Sequence, residues 1–156
     1  MKAATLAVIK KELKELNPEA LQALCLRLAR FKKDNKELLT YLLFEAQDEN
    51  AYVALIKEEI TMGFEAINTQ HLYYAKKGIR KVLRNITRYI RYSGNKQTEI
   101  ESLLFFCQTL RESGINFQNS TALVNLYASQ VKKIHKALES LHEDLRYDYL
   151  SEVEQL

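Results

Sequence analysis

Turn-forming residues are scarce in this chain: one proline and four glycines stand in 156 residues. Few turns mean long helices. Cysteine is scarce too, with only Cys25 and Cys107. Two isolated thiols give neither a metal spacing nor a disulfide framework, which fits a reducing compartment. Each falls on the apolar side of a predicted helix, Cys25 with Leu21, Leu24 and Leu28, and Cys107 with Leu103, Leu104 and Leu110. Both are expected to behave as small core hydrophobes.

Long hydrophobic runs are missing as well. No stretch of about 18 apolar residues occurs, and the weakly apolar run Ala3 to Ile9 is too short for a signal peptide and lacks a cleavage site. The expectation is a soluble, cytoplasmic protein with no membrane association. A Gly-rich phosphate loop, HExxH, paired cysteines and GxSxG are likewise absent. The chain therefore reads as a non-enzyme without cofactor.

The last absence is of one sign of charge. Asp and Glu do not occur from Ala66 through Thr98, a stretch that holds eight Lys and Arg. By thirds, residues 1–65 hold ten bases and eleven acids, residues 66–98 eight and none, and residues 99–156 five and nine. The local charges of −1, +8 and −4 sum to the formal +3. Either the cationic segment balances its anionic neighbours within the fold, or it is a contact surface.

At about 100° per residue, Gln70–Tyr92 forms a helix with two opposed stripes. Leu72, Ala75, Ile79, Leu83, Ile86 and Ile90 share one side; Lys77, Arg80, Lys81, Arg84, Arg88 and Arg91 share the other. From Lys76 to Arg91 the basic stripe covers about 24 Å at helical rise, close to what tracking a phosphate backbone requires. Tyr73 lies among the cations, and Tyr74 and Tyr92 lie on a flank with Gly78, where aromatics beside Arg can stack on unpaired bases. The competing expectation packs these tyrosines on a neighbouring helix, with Gly78 allowing close approach, and pairs the arginines with Glu58, Glu59 and Glu65.

Periodicity and caps predict six or seven antiparallel helices, an all-α compact bundle or short α-solenoid occupying residues 1–156 as one domain. The first runs from about Ala3 to Leu16. The second starts at Asn17-Pro18 and reaches about Lys33. Asp34 and Glu37 suggest a capping box for the third, Asn35 to Ala46, whose Leu38, Leu39, Tyr41, Leu42, Leu43 and Phe44 predict a central, buried element. The fourth, Ala51–Ile67, turns Val53, Ile56, Ile60, Phe64 and Ile67 inward. The fifth ends at Ser93-Gly94-Asn95, and Thr98 with Glu101 resembles a capping box for the sixth, which Ser113-Gly114 stops.

The closing helix, residues 120–147, carries Tyr127, Val131, Ile134, Leu138, Leu141 and Leu145 as a seam of nearly three heptads. That seam serves either packing within the domain or a homodimer contact. The last residues, RYDYLSEVEQL, lose periodicity and are expected to fray.

Three short matches recur in order: Val8–Leu13 with Leu55–Ile60, Leu24–Lys33 with Val82–Arg91, and Glu37–Phe44 with Glu99–Phe106, at offsets of 47, 58 and 62. They suggest a three-helix unit written twice, in residues 3–46 and 51–113. In outline the chain looks like a fragment of an α-solenoid of the HEAT or tetratricopeptide kind, but it lacks those families' signature positions.

Catalytic or metal-binding candidates are few. His135, Glu139 and His142 stand at i, i+4 and i+7. The outer two lie about 10.5 Å apart along the axis, too far for one ion, so no metal site is assigned. The function expected is a non-enzymatic helical interaction module, with a protein partner first and nucleic acid on the basic helix as the alternative.

Overall fold

Asparagine before proline is the clearest helix start in the chain. In the computed structural model, which describes residues 2–156, Asn17 Oδ1 accepts the Ala20 N–H at 2.8 Å and Pro18 opens α2 (Pro18–Phe31). Ahead of it, Thr5 caps α1 (Leu6–Lys14). α3 (Lys33–Thr40) runs into a π-helical turn, Tyr41–Glu45. Its start lies earlier than the expected capping box: Lys32 occupies the N-cap and Asp34 sits within the first turn. The Asn35 side chain instead donates to the Leu28 carbonyl at 2.9 Å, answering one of the open carbonyls at the end of α2.

The chain divides into two compact units, a first reaching to Phe44 and a second from Glu45 to Leu156. Both are helical, and among the described residues there is no strand: the fold is all-α, as expected.

The second unit holds α4 (Glu49–Glu65), α5 (Leu72–Ser93), α6 (Lys96–Glu112), α7 (Thr121–Glu139) and α8 (Glu143–Val153). Asp48 caps α4 by accepting the Ala51 N–H at 3.0 Å. Gly94, at φ 66°, ends α5 in the left-handed conformation that glycine takes without steric cost. Asn95 caps α6, three residues before the expected Thr98. Thr98 is buried, and its hydroxyl donates to Glu49 Oε2 at 2.5 Å, so a side chain read as a local cap ties α6 to α4.

The central helix is α6, which packs on α4, α5 and α7 and buries Ile100, Leu103, Leu104, Phe106, Cys107 and Leu110. The rings of Phe64 and Phe106 meet at 5.6 Å. Each fully buried side chain of this kind contributes about 1.5–3 kcal/mol by leaving water. α4 sends in Val53, Ile56, Ile60 and Phe64 as its spacing predicts, and Ile67 is buried just beyond its end.

The third helix was expected in that central role and does not have it. Leu42, Leu43 and Phe44 are 56, 55 and 72% exposed, and Tyr41 alone of its apolar residues is buried. An all-round apolar sequence says that a helix can be surrounded. It does not say that the fold will surround it.

The closing helix also departs from its pattern. α7 stops at Glu139, and His142 begins α8. Arg146 explains the break: its guanidinium donates to the carbonyls of Leu138, Glu139 and Leu141 at 3.1, 3.0 and 3.4 Å, satisfying the open end of α7. The residues expected to fray form α8 instead, held by buried Val153 and by the Tyr149 hydroxyl donating to Glu101 at 3.0 Å. Arg111 adds a hydrogen bond to the Gln155 carbonyl.

Candidate interaction surfaces

α5 is amphipathic because its sequence alternates between isoleucine or valine every three to four residues and a base in nearly every turn. Ala75, Ile79, Val82 and Ile86 are buried, so the apolar stripe centres on Val82, with Leu83 half-buried at its edge. Two glycines let α5 and α4 close on each other. A Cβ on Gly78 would stand 2.7 Å from Ile67 Cγ1, and one on Gly63 would stand 2.6 Å from Val82 Cγ2. The expected role of Gly78 in close approach is therefore met.

The opposite side of α5 is a row of unanswered charge. Lys77, Arg80, Lys81, Arg84 and Arg91 are exposed, and Lys76 is half-buried. Among the described residues, none of these six takes part in an ion pair or a side-chain hydrogen bond. The acids expected to neutralise them do not: Glu58, Glu59 and Glu65 are exposed and form no ion pair, although α4 lies against α5. The one base of α4, Lys57, pairs with Glu101 of α6 at 3.1 Å. The helices meet through their apolar sides; Glu59 and Lys81 line one cavity between them, yet no ion pair among the described residues joins the two. Arg88 departs from the row. It is half-buried, with its guanidinium carbon 5.6 Å from the Tyr89 ring centre.

At the beginning of α5 a cleft of about 510 Å³ opens between the helix and the Ala66–Asn68 connection. Lys76, Lys77, Arg80, Lys81 and Arg84 line it together with Tyr73 and Tyr74, and no acid does. These two tyrosines do not pack away on a neighbouring helix as one expectation had it. They are 71 and 52% exposed and stand edge to face at 5.5 Å. Tyr92, at the far end, is half-buried.

The heptad seam is not a free face. Ile134 and Leu138 are buried where α7 packs on α6, Tyr127 and Val131 are half-buried, Leu141 lies in the break between helices, and Leu145 belongs to α8. The same break takes His142 off the helix of His135 and Glu139. Among the described residues no three His, Cys, Asp or Glu gather closely enough to hold a metal ion.

Cys107 is a core thiol as expected, and burial pushes its pKa up to about 12. Cys25 is exposed, contrary to expectation.

Its exposure is part of a larger surface that sequence reasoning missed. In α1 to α3 no residue is fully buried, and Leu6, Val8, Ile9, Leu24, Leu26, Leu28 and Phe31 are between 39 and 84% exposed. Ile9, Leu24 and Leu28 correspond by the offsets of the internal matches to Ile56, Val82 and Ile86, which are 1, 6 and 1% exposed, and Leu42 and Phe44 correspond to Leu104 and Phe106, at 2 and 0%.

No described helix is long and apolar enough to cross a membrane. In comparison with known proteins, no family model matches the chain, and neither a curated protein nor a solved structure is significantly similar to it.

Proposed function

We propose that this chain is a non-enzymatic interaction module that holds a helical segment of another protein on the apolar surface of its first unit. One observation carries this reading: Ile9, Leu24, Leu28, Leu42 and Phe44 of the first unit stand exposed where the matching residues of the second unit, Ile56, Val82, Ile86, Leu104 and Phe106, are buried. Large apolar side chains left in water in such number favour an interaction site. In the second unit α7 lies on α6, and the first unit has no such closing helix between its own α3 and the boundary at Phe44. Read as a duplicated three-helix unit of a short solenoid, the first copy lacks the element that its partner would supply.

Charge indicates the partner's chemistry. Residues 2–44 hold nine bases and five acids, a balance of +4, so the complementary segment is an amphipathic helix with an acidic rim. Two copies of the unit would bring like charge together.

The test is sedimentation equilibrium of the whole chain, followed by cross-linking in cells and titration of the purified cross-linked protein. A monomer that binds that protein, at least tenfold more weakly after Leu24→Ser, Leu28→Ser and Phe31→Ser, fits the reading. A dimer that the triple variant dissolves would assign the surface to a second copy instead.

A second reading is favoured by the six uncompensated cations of α5: its basic side contacts nucleic acid through phosphates. Binding to a labelled duplex would then weaken steeply with salt, with a slope of about −4.5 for five phosphate contacts. It would fail in an R80Q/R84Q/R91Q variant that stays folded. Salt-independent binding, or none at low salt, would remove this reading.

A further inference from the structure

We infer that the cleft at the start of α5 is a site for single-stranded nucleic acid, with Tyr73 and Tyr74 as a stacking platform and Lys77, Arg80, Lys81 and Arg84 as the phosphate track. The inference rests on the nucleic-acid reading of the basic side and goes beyond it in naming the place and the strandedness. Two independent features of one cavity carry it.

The first feature is electrostatic. All the charged residues lining the cleft are cations, and none of them has an ion-pair partner in the protein. Such a concavity focuses positive potential and draws in anions. From Lys76 to Arg84 it extends about 12 Å along the helix, enough for a short run of phosphates rather than a full turn of duplex.

The second feature is aromatic. Tyrosine rings at 71 and 52% exposure leave apolar area in water, and here the two stand together in the lining of a cationic cavity. Phosphate recognition alone needs no rings. In a duplex the base faces are already stacked on one another, so the rings would gain nothing from it. An unpaired strand presents free base faces, and base–aromatic contact is indifferent to sequence.

The floor of the cleft keeps the two features in register. Gly78 has no side chain to hold α5 away from Ile67, so the Ala66–Asn68 connection passes close beneath the tyrosines and the first basic turns. A bulkier residue would lift the helix from the floor and separate rings from cations. Both features belong to residues outside the core, so variants that remove either leave the fold intact.

The experiment is fluorescence anisotropy of the full chain with labelled dT and U oligomers of about 12 nucleotides and with a blunt duplex of equal length, at low and physiological salt. Wild-type protein is expected to bind both single strands at least fivefold tighter than the duplex. Y73A/Y74A should weaken single-strand binding by about five- to a hundredfold and leave duplex binding unchanged. R80Q/R84Q should weaken both and lower the single-strand salt slope by about 1.4. Far-UV circular dichroism confirms that each variant is folded.

Equal affinity for strand and duplex, unmoved by Y73A/Y74A but abolished by R80Q/R84Q, would overturn this inference while leaving the basic-side reading standing. Inorganic polyphosphate displacing the strand at equal charge concentration would also overturn it, because the rings would then be idle. No binding of any probe at low salt would remove both readings.

Discussion

Replacing Arg84 with glutamine should make the protein more stable. Arg84 has Arg80 and Arg88 four residues away and Lys81 three away on the same helix, and no acid pairs with it. Like charges at these spacings oppose helix formation by about 0.2–0.5 kcal/mol a pair, and glutamine matches arginine in helix propensity. Arg88 is half-buried and engaged elsewhere, so the pairs with Arg80 and Lys81 count, about 0.4–1 kcal/mol. Exposure and solvent screening reduce this to about 0.3–0.7 kcal/mol at low ionic strength.

The assay is thermal and urea unfolding of wild type and R84Q at about 20 mM and 500 mM salt. R84Q should melt about 1–3 °C higher at low salt. The difference should shrink as salt rises, because wild type gains more from screening. A lower midpoint for R84Q at either salt would mean that Arg84 answers an acid. The uncompensated row on which the nucleic-acid readings stand would then fall.

The remaining expectations concern the core and its contacts. A thiol reagent should titrate one cysteine in the native protein, exposed Cys25, and reach Cys107 only on unfolding; two rapid equivalents would place Cys107 outside the core. Because burial raises the Cys107 pKa from 9.0 to about 12, the folded state keeps a proton that the unfolded state loses. Its contribution is complete below pH 9 and falls by about 1.4 kcal/mol per pH unit above it. Tyr127 and Tyr149, raised chiefly by burial, act in the same direction, and C107A should flatten the alkaline loss measured by urea midpoints.

Gly63→Ala should cost about 1–2 kcal/mol by overpacking Val82 and be partly rescued by Val82→Ala; a neutral single variant would show that α4 and α5 can separate freely. Leu138→Lys should unfold the second unit, whereas Leu145→Lys, at a 38% exposed position, should be tolerated. A folded L138K chain by circular dichroism would contradict the packing of α7 on α6.

Local chemistry explains why much of the architecture could be read from residues alone. Helix starts at Asn17-Pro18 and stops at Gly94 depend on backbone groups within four residues of the cap, and the two stripes of α5 depend only on the turn angle. Those features were legible because nothing distant enters them. The exclusion of acids from residues 66–98 likewise made the basic side visible before any coordinates.

Whatever required knowing a side chain's distant neighbour was decided by tertiary structure. Thr98 reads as a cap until Glu49 is found beside it, and nothing in the sequence around Arg146 announces that the carbonyls of Leu138, Glu139 and Leu141 converge on it. Glu58, Glu59 and Glu65 sit near the basic helix in sequence, but in the fold none of them pairs with its cations, even where Glu59 and Lys81 line one cavity. The apolar runs at Leu38–Phe44 and Ile100–Phe106 have nearly the same pattern, and only the second is covered. Periodicity specifies which side of a helix should leave water. Which helix, in this chain or another, will cover it is a property of the packed molecule.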